Sequence, residues 1–137
     1  MRVKTLKQTF MIKAEPEQVY TALTNSRQHA AFTGYPARIS QRVGGRFTTC
    51  GRRNSGVNLV LAPGRTIVAA WTHKDWPKHH YSIVTIRLKK GRKGTRVVFF
   101  HTGIPAAAFR WVSQGWEDTY WRPLKKFLRK SQRPKSD

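Results

Sequence analysis

The segment VSQGWEDTYWRPLKKFL, residues 112–128, decides the fold, because its apolar residues recur at three- and four-residue steps. That spacing places them on one stripe of an α-helix. The stripe consists of Val112, Trp116, Tyr120, Leu124, Phe127 and Leu128. It predicts a long helix over residues 107–130 whose apolar side covers another layer of the protein. Pro123, inside this segment, predicts a kink or a break.

The chain before this helix alternates apolar and polar residues over short segments, as β-strands do. A strand is predicted at residues 7–13, a helix begins at Pro16, and a second short helix runs through Phe32. Six further strands are predicted at residues 37–42, 46–50, 57–61, 66–73, 81–89 and 95–102. The order β-α-α-β6-α predicts an α+β fold in which a curved antiparallel sheet wraps around the C-terminal helix.

Length and composition favour one compact domain, since the chain has 137 residues of which 39% are hydrophobic. We predict a single domain over residues 1–130 and a basic, disordered tail over residues 131–137. No apolar run reaches the roughly 20 residues of a membrane-spanning helix, and the N-terminus lacks the apolar stretch of a secretory signal. Cys50 is the single cysteine, which excludes an intrachain disulfide. These features predict a cytoplasmic protein.

The charge of the chain is strongly positive, with 27 Lys and Arg residues against 6 Asp and Glu residues and a formal net charge of +21. Such a chain attracts polyanions, by electrostatic contacts that weaken as salt rises. The candidate polyanion-binding residues are Arg52, Arg53, Lys89, Lys90, Arg92, Lys93, Lys125, Lys126, Arg129 and Lys130. They predict weak, non-specific binding of nucleic acid or of an acidic protein. The alternative is a solvated surface without a partner.

Five segments together resemble one known family. They are AEPEQVYTALTN (residues 14–25), RVGGRFTTCG (42–51), GRTIVAAWTHKDWP (64–77), GTRVVFFHTGIP (94–105) and GWEDTYWRPLKKFL (115–128). The chain resembles the START-like, or helix-grip (SRPBCC), superfamily, and within it the family of activator of heat-shock-protein-90 ATPase homologues. The segments cover almost the whole chain in the order expected for that family.

The resemblance implies a helix-grip fold with an internal cavity, and many small bacterial members look like ligand-binding modules. Co-chaperone activity belongs to larger relatives with an additional N-terminal domain, for which we expect no room in 137 residues. Other relatives are cyclases and lyases, whose acid-base groups line the cavity. The resemblance transfers no catalytic residue to this chain, so we favour binding over catalysis.

The candidate cavity residues follow from strand and helix periodicity. They are Trp71, Val97, Phe99, His101, Trp116 and Tyr120. Aromatic walls with a few polar atoms suit a hydrophobic or amphipathic small molecule. A pocket of about 300 Å³ or more, lined mainly by these residues, would support that interpretation. His101 has two interpretations: an acid or base at the cavity rim, as in a cyclase-like or lyase-like enzyme, or a hydrogen-bonded histidine of the core.

The remaining histidines and the cysteine indicate neither a metal site nor a catalytic nucleophile. The segment HKDWPKHH, residues 73–80, holds three histidines and an aspartate, but Lys74 and Lys78 oppose cation binding. Cys50 has no neighbouring base in the sequence and is expected to be a buried, inert thiol. We therefore predict a ligand-binding domain without a metal or a cofactor. The two alternatives to this function are a basic interaction module and an enzyme that uses His101.

Overall fold

The computed structural model describes residues 1–131, which form one seven-stranded sheet, two short helices and a long C-terminal helix. The strands are Val3–Ile12 (β1), Arg38–Ile39 (β2), Arg46–Thr49 (β3), Asn54–Ala62 (β4), Thr66–His73 (β5), Ser82–Gly91 (β6) and Gly94–Pro105 (β7). The helices are Pro16–Thr24 (α1), Ser26–Thr33 (α2), Phe109–Gly115 (α3) and Arg122–Ser131 (α4), and a π-helical stretch, Trp116–Trp121, joins the last two. We call α3, the π-helical stretch and α4 together the C-terminal helix. This order confirms the predicted α+β helix-grip fold.

The sheet is antiparallel throughout, in the order β1-β7-β6-β5-β4-β3-β2. The predicted strand at residues 37–42 retains only two paired residues, because the chain turns early. The side-chain amide of Asn58 donates to the carbonyl oxygens of Ser40 (2.7 Å) and Arg42 (3.2 Å). Those carbonyls therefore bond to a side chain, and that of Arg42 also accepts the Gly45 N–H of the local turn at 3.0 Å, so neither extends the pairing of β2.

The connection between β3 and β4 is shorter than the predicted loop at residues 51–56. A 3₁₀ turn, Cys50–Arg52, reverses the chain, and β4 begins at Asn54. Cys50, Gly51 and Arg52 have φ angles of 52°, 66° and 86°. Three successive left-handed residues make this turn tight, although two of them carry side chains that disfavour such angles.

The two short helices begin and end where the sequence predicts. Pro16 occupies the first turn of α1, and the Glu15 backbone N–H donates to Gln18 Oε1 at 2.9 Å. Asn25 caps α2, because its side-chain oxygen accepts a hydrogen bond from a backbone N–H three residues later. Gly34 ends α2 at a φ of 80°, which a glycine adopts without strain.

The C-terminal helix packs across the sheet with the predicted stripe inward: Trp116 is 5% exposed and Leu124 is fully buried. The helix proper begins at Phe109, after a short 3₁₀ turn, Ala106–Ala108. The expected irregularity at Pro123 takes the form of the π-helical stretch, in which the Arg122 N–H donates to the Glu117 carbonyl five residues earlier. In a regular α-helix the proline ring would clash with the carbonyl one turn before it, so a wider turn at this point relieves the clash.

Residues 132–137 of the predicted tail lie outside the described residues, and Ser131 is the last residue of α4. Within residues 1–131, no helix has the length and apolar character needed to cross a membrane.

Candidate ligand cavity

Two small chambers lie between the sheet and the C-terminal helix. The outer chamber has a volume of about 160 Å³ and opens between α3 and the 3₁₀ turn at Cys50–Arg52. We call this opening the mouth of the chamber. The inner chamber, of about 70 Å³, extends towards α1 and α2. Both are smaller than the roughly 300 Å³ of a typical ligand pocket. Trp71, Trp116 and Tyr120 belong to the walls of both chambers, so these side chains lie between them.

Three of the six predicted cavity residues line the chambers, namely Trp71, Trp116 and Tyr120. The other three, Val97, Phe99 and His101, are fully buried on β7 and line neither chamber. They occupy alternate positions facing the helix, as predicted, but helix aromatics pack directly over them. The Phe99 ring lies 4.6 Å from the Trp116 ring and 5.1 Å from the Trp121 ring, measured between centroids.

His101 is a hydrogen-bonded residue of the core. The Trp116 indole N–H donates to His101 Nδ1 at 3.0 Å, so the histidine proton is on Nε2, which lies 2.7 Å from Ser82 Oγ. The Ser82 hydroxyl in turn donates to the Trp71 carbonyl at 2.8 Å. Burial lowers the pKa of His101 to about 3. Both ring nitrogens are thus engaged and the ring is neutral, which argues against the acid-base role considered from the sequence.

His29 is a site residue that the sequence analysis missed. It lies on α2, is 3% exposed and lines the inner chamber. Its Nδ1 atom is buried and finds no hydrogen-bond partner within residues 1–131. Burial lowers the pKa of His29 to about 4, so the ring is neutral at neutral pH. The sequence indicates its burial only through its spacing of three residues from the apolar Phe32, because that spacing places both side chains on one face of the helix.

A polar cluster forms one wall shared by the chambers. The Tyr120 hydroxyl donates to Thr49 Oγ1 at 3.3 Å and lies 3.7 Å from Cys50 Sγ. Burial raises the pKa of the Tyr120 phenol well above its ordinary value and also raises that of the Cys50 thiol. Both groups are protonated at neutral pH. The thiol is therefore a weak nucleophile, as the sequence predicts.

The mouth of the outer chamber combines aromatic and basic groups. The Arg53 guanidinium lies 5.2 Å from the Tyr35 ring centroid, and the His73 ring lies 4.6 Å from the Trp111 ring. His73 Nδ1 accepts a hydrogen bond from the Asp75 backbone N–H at 3.0 Å. Burial is the main cause of a lowered His73 pKa, with nearby positive charge adding to it and the Asp75 carboxylate opposing it.

The predicted polyanion-binding residues divide between the two ends of the sheet. The Lys74 backbone N–H donates to the Arg53 carbonyl at 2.9 Å, which places Arg52 and Arg53 at the carboxyl end of β5. The turn between β6 and β7 carries the basic residues of positions 89–93 and lies beyond the opposite end of β5, since Thr66 pairs with Arg87. The basic residues of α4 approach that second end, with Lys125 Nζ lying 4.8 Å from the centroid of the Phe10 ring on β1. Lys126, Arg129 and Lys130 are exposed.

Comparison with known proteins identifies the family. Residues 13–129 match the family described as Activator of Hsp90 ATPase homolog 1-like protein. The human Activator of 90 kDa heat shock protein ATPase homolog 1 is 32% identical over 121 residues, which are 88% of this chain and 35% of the relative. The Dictyostelium discoideum homologue is 34% identical over 115 residues, or 83% of this chain and 30% of the relative. The chain thus spans about a third of the length of these curated relatives.

Solved structures show the same fold. An HSP90 activator from Plasmodium falciparum superposes with a TM-score of 0.85 at 22% identity, covering 90% of this chain and 95% of that one. CalU16 from Micromonospora echinospora superposes with a TM-score of 0.73 at 23% identity, covering 90% and 74% of the two chains. At these identities the likeness concerns the fold alone. Together with the match over residues 13–129, it leads to one conclusion: this chain belongs to the family of Activator of Hsp90 ATPase homolog 1-like proteins.

Proposed function

We propose that this chain is a helix-grip module that binds one small amphipathic molecule between the sheet and the C-terminal helix, without transforming it. The observation that carries the proposal is the pair of chambers that share Trp71, Trp116 and Tyr120 as wall residues. The unpartnered Nδ1 of His29 on the wall of the inner chamber supports it, because a buried polar atom without a hydrogen-bond partner is costly. A ligand hydroxyl or a water molecule would satisfy that atom.

The size of the chambers limits the ligand. An apolar cavity of roughly 150 Å³ holds one benzene molecule, so the outer chamber of about 160 Å³ suits a molecule with a single ring. A longer ligand would need the Trp116 or Tyr120 side chain to move, since these residues separate the two chambers. The π-helical stretch carries both residues, and such stretches frequently occur at functional sites.

Gly115 offers a direct test of binding. It lines the outer chamber, and among residues 1–131 a Cβ atom added there would meet no atom within 4 Å beyond its chain neighbours and the adjacent helix backbone. Gly115→Leu should therefore fill the chamber while the chain still folds. The matched control is Gln114→Leu, which adds the same side chain to the same helix at an exposed position outside the chamber walls.

The measurement is a titration with benzamide, a neutral single-ring probe, followed through the indole N–H signals of the ¹⁵N-labelled protein. We expect saturable shifts in the unmodified protein and in the Gln114→Leu variant, and none in Gly115→Leu. Thermal unfolding in the presence of the probe should show the same pattern, because a ligand that binds only the folded state raises the melting temperature. No saturation at millimolar benzamide, or equal binding by Gly115→Leu, would contradict the proposal.

A second candidate function is binding to a chaperone of the Hsp90 type. It is favoured by the relatives, which are named as activators of the 90 kDa heat shock protein ATPase and match this chain over about a third of their length. A net charge of +21 suits an acidic partner. The test is the steady-state ATPase rate of purified Hsp90 with and without this chain. An unchanged rate, together with no complex on size-exclusion chromatography at low salt, would refute this candidate.

A further inference from the structure

We propose that the ligand of the outer chamber is a single-ring aromatic carboxylic acid whose carboxylate binds at the mouth, to the Arg53 guanidinium and the His73 Nε2–H. The proposal rests on the proposed small-molecule function and names the chemical class of the ligand. Four features of the described residues support it: an unpaired guanidinium, a neutral imidazole donor, aromatic walls and the volume of the chamber.

Arg53 is the cation of the mouth. Within residues 1–131, no carboxylate lies within 4 Å of its guanidinium. The guanidinium instead lies over the Tyr35 ring, and the backbone carbonyl of Arg53 accepts the Lys74 N–H at 2.9 Å. The backbone bond fixes the position of Arg53 in the chamber wall, and the contact with Tyr35 orients its guanidinium. An arginine so placed presents parallel N–H donors, whose geometry matches the two oxygens of a carboxylate.

His73 supplies a second donor. Because its Nδ1 accepts the Asp75 N–H, the proton of the neutral ring is on Nε2. No acceptor for that proton occurs in the part of the chain that the structure describes, and the ring lines the outer chamber. Asn54 on β4 pairs with His73 on β5, so Arg53 lies next to the residue that faces this histidine. One cation with one neutral donor suits a singly charged carboxylate better than a phosphate, which has three acceptor oxygens and more charge.

The walls favour an aromatic ring over an alkyl chain. Trp71, Trp111 and Trp116 all line the outer chamber, and Trp111 remains 44% exposed at its mouth. Aromatic rings pack on one another in offset or edge-to-face arrangements, which adds to the free energy of burial. A volume of about 160 Å³ accommodates one ring. A long-chain acid would extend past Trp116 and Tyr120.

The experiment compares benzoate with benzamide, which has nearly the same shape and no charge, at matched ionic strength. We expect benzoate to bind about fivefold more tightly, a modest factor because Arg53 is exposed. Arg53→Gln should make the two affinities equal. The control, Arg52→Gln, removes the same charge from a neighbouring residue that does not line the chamber, and it should preserve the preference.

The outcomes separate the two proposals. If benzamide binds saturably and benzoate binds no better, the small-molecule function stands and the carboxylate assignment is wrong. If Arg52→Gln and Arg53→Gln reduce the preference equally, the preference reflects the general positive field, and the assignment to Arg53 is again wrong. If neither probe binds, both proposals fail.

Discussion

Acidification should destabilise this protein because two buried histidines are neutral in the folded state. Burial lowers the pKa of His101 to about 3 and that of His29 to about 4. In the unfolded chain each has a pKa of about 6.5. Below that value the unfolded state binds more protons than the folded state, so the free energy of unfolding falls as the pH falls. Full stability is present above about pH 7 and is lost progressively towards pH 4.

The magnitude follows from the two shifts. Between pH 7 and pH 5 each histidine lowers the free energy of unfolding by about 2 kcal/mol, or by about 4 kcal/mol for the pair. The free energy of unfolding of a typical domain is about 5–15 kcal/mol, so this loss is a large part of it. Both side chains are almost completely buried, so solvent screening reduces this effect little.

The assay is chemical denaturation at intervals between pH 7.5 and pH 5, with unfolding followed by tryptophan fluorescence. His101→Gln removes one titrating group and should reduce the slope of stability against pH by about 1.4 kcal/mol per pH unit below pH 6. The slope is diagnostic because it does not depend on the overall stability that the substitution also changes. His79→Gln, at an exposed position, is the matched control. Equal slopes for the unmodified protein and His101→Gln would refute the reasoning.

Three further perturbations have defined outcomes. Gly56→Ala should destabilise by about 3 kcal/mol or more in urea denaturation, because the new Cβ would overlap the Ala70 carbonyl oxygen; a loss below about 1 kcal/mol would contradict this overlap. Asn25→Ala should cost about 1 kcal/mol in the same assay, since the N-cap hydrogen bond of α2 is lost. Charge reversal at Lys125 and Lys126 should weaken DNA retardation at low salt and leave the melting temperature nearly unchanged, since among residues 1–131 the contact of Lys125 with Phe10 is the one packing interaction affected; unchanged retardation would mean that α4 does not contribute.

The architecture could be predicted because each segment carried a strong periodic signal. The segment at residues 66–73 was predicted with the bounds of β5, since its β-branched and small residues are ended by turn residues on both sides. Helix ends were equally predictable, because Pro16, Asn25 and Gly34 each act through a local hydrogen bond or backbone angle. Strands that end through a distant contact were not predictable. Strand β2 is short because the side-chain amide of Asn58, which lies 16 to 18 residues further along the chain, donates to the carbonyl oxygens of Ser40 and Arg42 just after the strand.

The candidate site was predictable only in part, for a different reason. Alternation assigned β7 residues such as Phe99 to the correct face, but periodicity does not tell how closely the opposite layer packs. Trp116 lies directly over Phe99 and leaves no space there. The outer chamber lies over β4 and β5 instead, and the inner chamber lies over β3 to β6. Arg53 and His73 line the same chamber because Asn54, which follows Arg53, pairs with His73 between β4 and β5. Their proximity is a tertiary property that no short segment encodes.

The outer chamber exists because the C-terminal helix omits side-chain volume at one point. Gly115 has ordinary helical angles, φ −63° and ψ −39°, so no backbone requirement calls for glycine. Glycine inside a helix costs roughly 1 kcal/mol relative to alanine. In the part of the chain that the structure describes, no atom from another element would exclude a methyl group at this position. The next residues form the π-helical stretch, which positions Trp116 and Tyr120 at the boundary between the chambers. A glycine and a widened turn together lower the local stability of the helix, and they leave room for the outer chamber. Binding of a ligand in that chamber would offset the lost stability. Gly115→Leu should therefore make the helix more stable and fill the chamber.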